Sequence, residues 1–178
     1  MKSISSILLV VCLIATAFYS VQANASMFVD VTNEIKSMNF TALPASTCAK
    51  AASQAKHYAS CGCPYVWGGT SCGCGGSGGM DCSGLVYTSY REAGYSGITR
   101  VTTTQVHQGS GCNAGCSPSN THNCKVGDLF FYCFGSGCPD HVLMYVGGNQ
   151  VAECSVPGTD CSVHAPYSEN YQTCRSFC

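Results

Sequence analysis

Sixteen of the 178 residues are cysteine, and their number and placement constrain this chain more than any other feature. Cys12 falls in an apolar leader; the other fifteen run from Cys48 to Cys178. In an oxidising compartment such cysteines pair, and an odd count leaves one thiol free or commits it to another molecule. Fifteen cysteines therefore allow at most seven bridges and one unpaired thiol. A zinc site at Cys61-x-Cys63 and Cys72-x-Cys74 is disfavoured, because the gaps are one residue instead of the usual two and the compartment favours bridges.

The compartment is read from the start of the chain. Lys2 precedes an apolar run from Ile7 to Phe18, too short to span a bilayer comfortably, and Ala23-Asn24-Ala25 fits the small-x-small rule for signal-peptidase cleavage. Residues 1–25 are expected to be a signal peptide, and the protein to be secreted and extracellular with no membrane segment after its removal. The 178 − 25 = 153 residues left suit one domain. Losing Lys2 leaves 7 basic against 9 acidic residues, a net charge of 7 − 9 = −2, which argues against a nucleic-acid partner. Residues 26–47 read as an N-terminal arm, with the glycosylation sequon Asn39-Phe40-Thr41, and residues 48–178 as the domain, expected to be a monomer.

Within the domain, Ser46 or Thr47 can cap a helix with the stripe Cys48, Ala51, Ala52, Ala55, Tyr58 and Ala59, whose small residues permit close approach of a second helix. Pro64 to Gly69 holds the only tryptophan, Trp67, and on composition reads as an aromatic cluster at the core edge. Thr70 to Gly79 is a glycine-rich loop in need of a disulfide anchor. Asp81 then caps a helix in which Leu85, Val86, Ser89, Tyr90 and Ala93 share a face and Gly94 supplies the stop. Cys82 thus stands in a first helical turn, where unpaired N–H groups and the helix dipole favour a thiolate. If Cys82 is the unpaired thiol, cysteine parity and nucleophilic chemistry agree.

Gly97 to Gly111 is rich in Thr and Gln, and Gly111 to Cys124 reads as a polar loop held by disulfides. Leu129 to Phe134 is a continuous apolar run that fits a strand buried on both faces. His141–Val146 and Gln150–Val156 flank Gly147-Gly148-Asn149 as a hairpin. A cysteine nucleophile needs a base and the base an orienting group. Of five histidines His141 is the best placed; His57 lies on the first helix, and His107, His122 and His164 fall in polar loops. With a three-residue loop, Val146 opposes Gln150, and Glu153 shares a face with His141, diagonally adjacent; a two-residue loop would flip it away.

Pro64-Tyr65-Val66-Trp67-Gly68-Gly69, Asp81-Cys82-Ser83-Gly84-Leu85-Val86, Val126-Gly127-Asp128-Leu129 and His141-Val142 to Tyr145-Val146-Gly147, in that order, resemble the NlpC/P60 family of papain-like cell-wall peptidases. The resemblance runs from about Cys48 to Val156. It implies an α+β fold with the nucleophile helix packed on an antiparallel sheet. It also implies cleavage of peptidoglycan stem peptides between γ-D-glutamate and the following diamino acid, with no cofactor and no metal. Matched residue by residue, Cys82 is the nucleophile and His141 the base. Glu153 stands where relatives often carry a second histidine. Tyr65 and Asp81, with Ser83 beside them, match positions that hold the substrate amine, and Trp67 joins them as a substrate-binding position. An amidase or transpeptidase on the same fold, and a disulfide-rich binding or toxin module without catalysis, are the competing readings.

Overall fold

A computed structural model describes residues 40–178; the leader, most of the arm and Asn39 of the sequon lie outside the described residues. Helix α1 (Ala45–Tyr58) begins at Pro44 with no side-chain cap, so neither Ser46 nor Thr47 takes the capping role expected of it. Proline's fixed φ, here −55°, already sets the entry into the first turn. Its small buried face, Cys48, Ala51, Ala52 and Ala55, packs against helix α2 (Cys82–Glu92), and both helices lie against the central sheet.

Helix α2 has both expected ends. Asp81 Oδ1 accepts from Gly84 N–H at 2.7 Å. At the other end Gly94 sits at φ +98°, Gly94 N–H donates to Arg91 O, and Tyr95 N–H donates to Tyr90 O. The ring of Tyr95 then meets that of Tyr90 edge-on, 6.1 Å away. That is a Schellman closure with its apolar contact.

Thr70 to Gly79, expected as a loop, is a hairpin: β1 (Thr70–Gly73) pairs antiparallel with β2 (Ser77–Met80). It stays legible only as glycine-rich sequence because its strands bury little; its anchors are Cys61–Cys74 and Cys63–Cys72. A short helix α3 (Thr102–Gln105) follows α2.

The main sheet is antiparallel with strand order β3-β8-β4-β5-β6-β7: β3 (Ser110–Gly111), β4 (Leu129–Tyr132), β5 (His141–Gly147), β6 (Gln150–Glu153), β7 (Ser162–His164) and β8 (Tyr171–Ser176). The cysteine-rich tail after Pro157 supplies two of these strands. Strand β4 is wholly buried because the sheet is covered on both faces. Phe130 and Tyr132 pack with Leu143, Tyr145 and Val151 under the Cys112–Cys174 and Cys116–Cys124 bridges, while Leu129 and Phe131 alternate to the opposite face.

Seven disulfides form among the described residues, the remaining three being Cys48–Cys178, Cys133–Cys138 and Cys154–Cys161. The first closes a separation of 130 residues and, in the chain-entropy account, is worth on the order of 5 kcal/mol. Among the described residues Cys82 is the only free cysteine, and it is buried. The cysteine-rich clusters that would otherwise suit a metal consist largely of sulfurs already in these bonds.

Candidate active site

Cys82 is the first residue of α2 and 7% exposed. The helix accounts for the N–H groups of Gly84 and Leu85, which go to Asp81, but has no partner for those of Cys82 and Ser83. The first turn is built around Gly84. A Cβ there would lie 2.1 Å from Gly69 O, so glycine is what lets the Gly68-Gly69 backbone close over the helix start.

His141 opens β5 and is 7% exposed. Its Nε2 meets Glu153 Oε2 at 2.5 Å, which leaves Nδ1 as the nitrogen for the thiol. Burial disfavours the imidazolium, but bonding to Cys82 and to Glu153 outweighs it and lifts the pKa from 6.5 to about 9.

Glu153 reaches His141 by a route other than the one expected. The hairpin loop is two residues, Gly148 and Asn149, both at positive φ (62° and 60°), and Gly147 opposes Gln150. That loop alone would turn Glu153 to the wrong face. A bulge at Val146 adds one residue to β5, so Tyr145 opposes Val151 and Met144 opposes Ala152, the register of the three-residue reading. Two departures cancel, and Glu153 lies on the His141 face.

Glu153 is 6% exposed and accepts three bonds: from His141, from His164 Nε2 to Oε1 at 2.8 Å, and from Tyr167 O–H to Oε2 at 3.1 Å. Burial pushes its pKa up, yet the two histidines pull it from 4.5 to about 2. A buried imidazole, a thiol and a carboxylate held anionic can together support a thiolate–imidazolium pair.

Residues 62–176 match the sequence profile of the NlpC/P60 family. The chain belongs to the NlpC/P60 family. Among curated relatives, Gamma-D-glutamyl-L-lysine dipeptidyl-peptidase of Bacillus subtilis is 37% identical over 92 residues, 51% of this chain and 27% of that protein. Murein DD-endopeptidase MepH of Escherichia coli is 34% identical over 111 residues, 62% of this chain and 37% of that one. The matches thus span roughly a quarter to two fifths of those proteins. Among solved structures, NlpC2 of Trichomonas vaginalis superposes with a TM-score of 0.57 at 25% identity, covering 78% of this chain and 49% of that one. The P60 domain of antigen MAP1204 from M. avium subspecies paratuberculosis gives 0.57 at 26% identity, covering 74% and 95%.

Around this NlpC/P60 centre lie two clefts that share Trp67 and Asp140. One, of about 560 Å³, is lined by Tyr65, Phe134, His141, Glu153, Val156 and Tyr167 among others. The other, of about 290 Å³, is lined by Cys82, Ser83, Val101, Thr102 and Pro139 among others. Trp67 is 84% exposed, so the core-edge reading of that segment is corrected: the ring belongs to the groove. Tyr65 is half-buried in the larger cleft.

Asp81, expected to hold a substrate amine, has a carboxylate already engaged by several donors of the chain itself. Arg100 donates to both oxygens at 2.9 Å, Gly68 N–H and Gly84 N–H donate at 2.8 and 2.7 Å, and Ser83 O–H at 3.2 Å. These donors share the roughly four acceptor sites of the carboxylate and fix it between Arg100 and the start of α2. Burial raises the Asp81 pKa, but the Arg100 bond and then the two backbone N–H groups bring it below the usual carboxylate value.

Four site residues escaped the sequence reading. Arg100, in the Thr-rich stretch, is the counter-ion that a buried capping aspartate requires. Thr102 Oγ1 lies 3.9 Å from Cys82 Sγ. His164, read as surface loop, ends β7; in the β6–β7 register Glu153 opposes Ser162 and Val151 opposes His164, which makes His164 the diagonal neighbour of Glu153. The Cys154–Cys161 pairing would have located it, since that bridge closes the turn between these strands. Tyr167 has no comparable sequence signal, because it lies outside any strand.

Proposed function

We propose that this protein is a secreted, monomeric cysteine endopeptidase that hydrolyses stem peptides of bacterial peptidoglycan between γ-D-glutamate and the following diamino acid. The observation that carries the reading is the pairing of Cys82, the one free cysteine among the described residues, at the start of α2, with a buried histidine anchored on Glu153. Peptidoglycan as substrate is supported by the relatives' names: a γ-D-glutamyl dipeptidyl-peptidase and a murein endopeptidase. Secretion is supported by the leader and by seven disulfides.

The Cys82 thiolate attacks the scissile carbonyl carbon, forming the C–S bond and placing negative charge on the carbonyl oxygen. The free N–H of Cys82 stabilises that oxyanion. His141 gives its proton to the departing nitrogen as the C–N bond breaks, leaving a thioester. Water then attacks, His141 takes its proton, the C–S bond breaks and the thiolate returns. Glu153 orients the imidazole throughout. Tyr65, Trp67 and Ser83 contact the substrate, and Asp81, tied to Arg100, holds the loop that carries Trp67 against the helix start through Gly68 N–H.

The test is digestion of purified peptidoglycan followed by mass analysis of the soluble products. The expected products end in γ-D-glutamate, and Cys82→Ala abolishes them while unfolding as cooperatively as the parent. Retained activity in Cys82→Ala overturns the reading; intact stem peptides freed from the glycan would instead identify an amidase, and new cross-links a transpeptidase.

A further inference from the structure

His164 is held at both ring nitrogens. Nε2 lies 2.8 Å from Glu153 Oε1, and Nδ1 lies 2.8 Å from Ala165 O. Both partners are acceptors only, and a neutral imidazole has a single N–H to offer. The geometry therefore calls for the doubly protonated ring. The ring is also stacked on Tyr167, centroids 5.9 Å apart with planes 7° from parallel, and Tyr167 donates to the other carboxylate oxygen of Glu153.

We infer that His164 is a positioning residue that acts on the reaction through Glu153: as a fixed imidazolium it pins one carboxylate oxygen and offsets part of the charge that Glu153 presents to His141. The inference rests on the reading of Cys82 and His141 as the reacting pair. The groups that bear on Glu153 are His141 from β5, His164 from β7, Tyr167 beyond it and Tyr132 from β4, with Cys82 on the far side of His141. Of these only the two histidines carry positive charge, so the line Cys82, His141, Glu153, His164 alternates minus, plus, minus, plus.

The alternation has a chemical purpose. A carboxylate facing one imidazolium alone holds that proton tightly, which makes His141 a poor acid toward the leaving nitrogen. A second cation on the opposite oxygen weakens that hold while keeping the carboxylate anionic and oriented. Tyr132 fixes the arrangement from behind, its O–H donating to Tyr167 O at 2.9 Å.

The experiment compares wild type with His164→Gln, whose side-chain N–H can keep the bond to Glu153 without the charge. Inactivation by iodoacetamide, followed against pH, reads the Cys82–His141 pair without any substrate. The high-pH inflection is expected to rise by about half a unit or more in His164→Gln. On peptidoglycan fragments kcat is expected to fall by about three- to tenfold with KM little changed. A variant that loses thermal stability but keeps the wild-type inflection overturns the inference, since a purely structural residue would behave that way. Should His164→Gln not fold, ¹⁵N-histidine NMR of the wild-type chain decides the matter: two protonated ring nitrogens at His164 at pH 7 support it, and a neutral tautomer overturns it. Both alkylation and NMR report without hydrolysis, so a wrong assignment of activity would show separately, as retained cell-wall solubilisation by Cys82→Ala.

Discussion

Replacing Glu153 by Gln gives the sharpest test of the electrostatics at this site. The carboxyl is depressed from 4.5 to about 2, a change of about 4.5 − 2 = 2.5 units, and one unit corresponds to about 1.4 kcal/mol, so its charge contributes roughly 3 kcal/mol to stability. The rise of His141 from 6.5 to about 9 is owed first to Cys82 and then to Glu153, so only its Glu153 part is the same interaction from the other end, and that part is counted once. Both groups are under 10% exposed, and solvent screening is small. The signs follow from linkage. Glu153 has a lowered folded pKa, so its contribution is complete above pH 4.5 and is lost as pH falls through about 2. His141 has a raised one, so its contribution is complete below pH 6.5 and is lost as pH rises through about 9. The stability difference between wild type and Glu153→Gln is therefore expected to form a plateau of roughly 3 kcal/mol between pH 4.5 and 6.5, falling away on both sides to the fixed cost of the amide. Urea unfolding with disulfides intact, in a Cys82→Ala background that prevents thiol exchange, measures it; because Cys82 also raises the His141 pKa, the high-pH fall sets in below 9 in that background. A difference that stays flat from pH 2 to pH 10 would refute the reasoning.

The Asp81–Arg100 pair should show strong coupling: Arg100→Leu strands a buried anion and is expected to cost about 2–3 kcal/mol, whereas Asp81→Asn with Arg100→Leu costs less than the sum of the single changes in a thermal-unfolding cycle. Alkylation of the native protein should label one thiol per molecule, and none in Cys82→Ser, as read by intact mass. Trp67→Ala should change stability by no more than about 0.5 kcal/mol, because the ring is 84% exposed, while raising KM; as the only tryptophan, Trp67 should also report substrate binding by its fluorescence.

The sequence by itself determined the helix that begins at Asp81, because a capping carboxylate, an apolar stripe and a terminal glycine are all local, short-range signals. It also determined that one cysteine would stand apart, since parity is independent of geometry, and it located His141 on a hairpin strand. Only the tertiary structure decided what surrounds them. The face occupied by Glu153 depended on a bulge at Val146 that offsets a tight turn, and no periodicity announces a single extra residue. His164 and Tyr167 enter through a three-residue strand and the segment after it, too short to carry a pattern and aligned by pairing to a neighbour. The cap role of Asp81 is local, but its counter-ion is not: Arg100, 19 residues later in the chain, reaches both its oxygens. Backbone caps and parity are written along the chain; charge balance at a buried site is set by residues that meet only when the sheet closes.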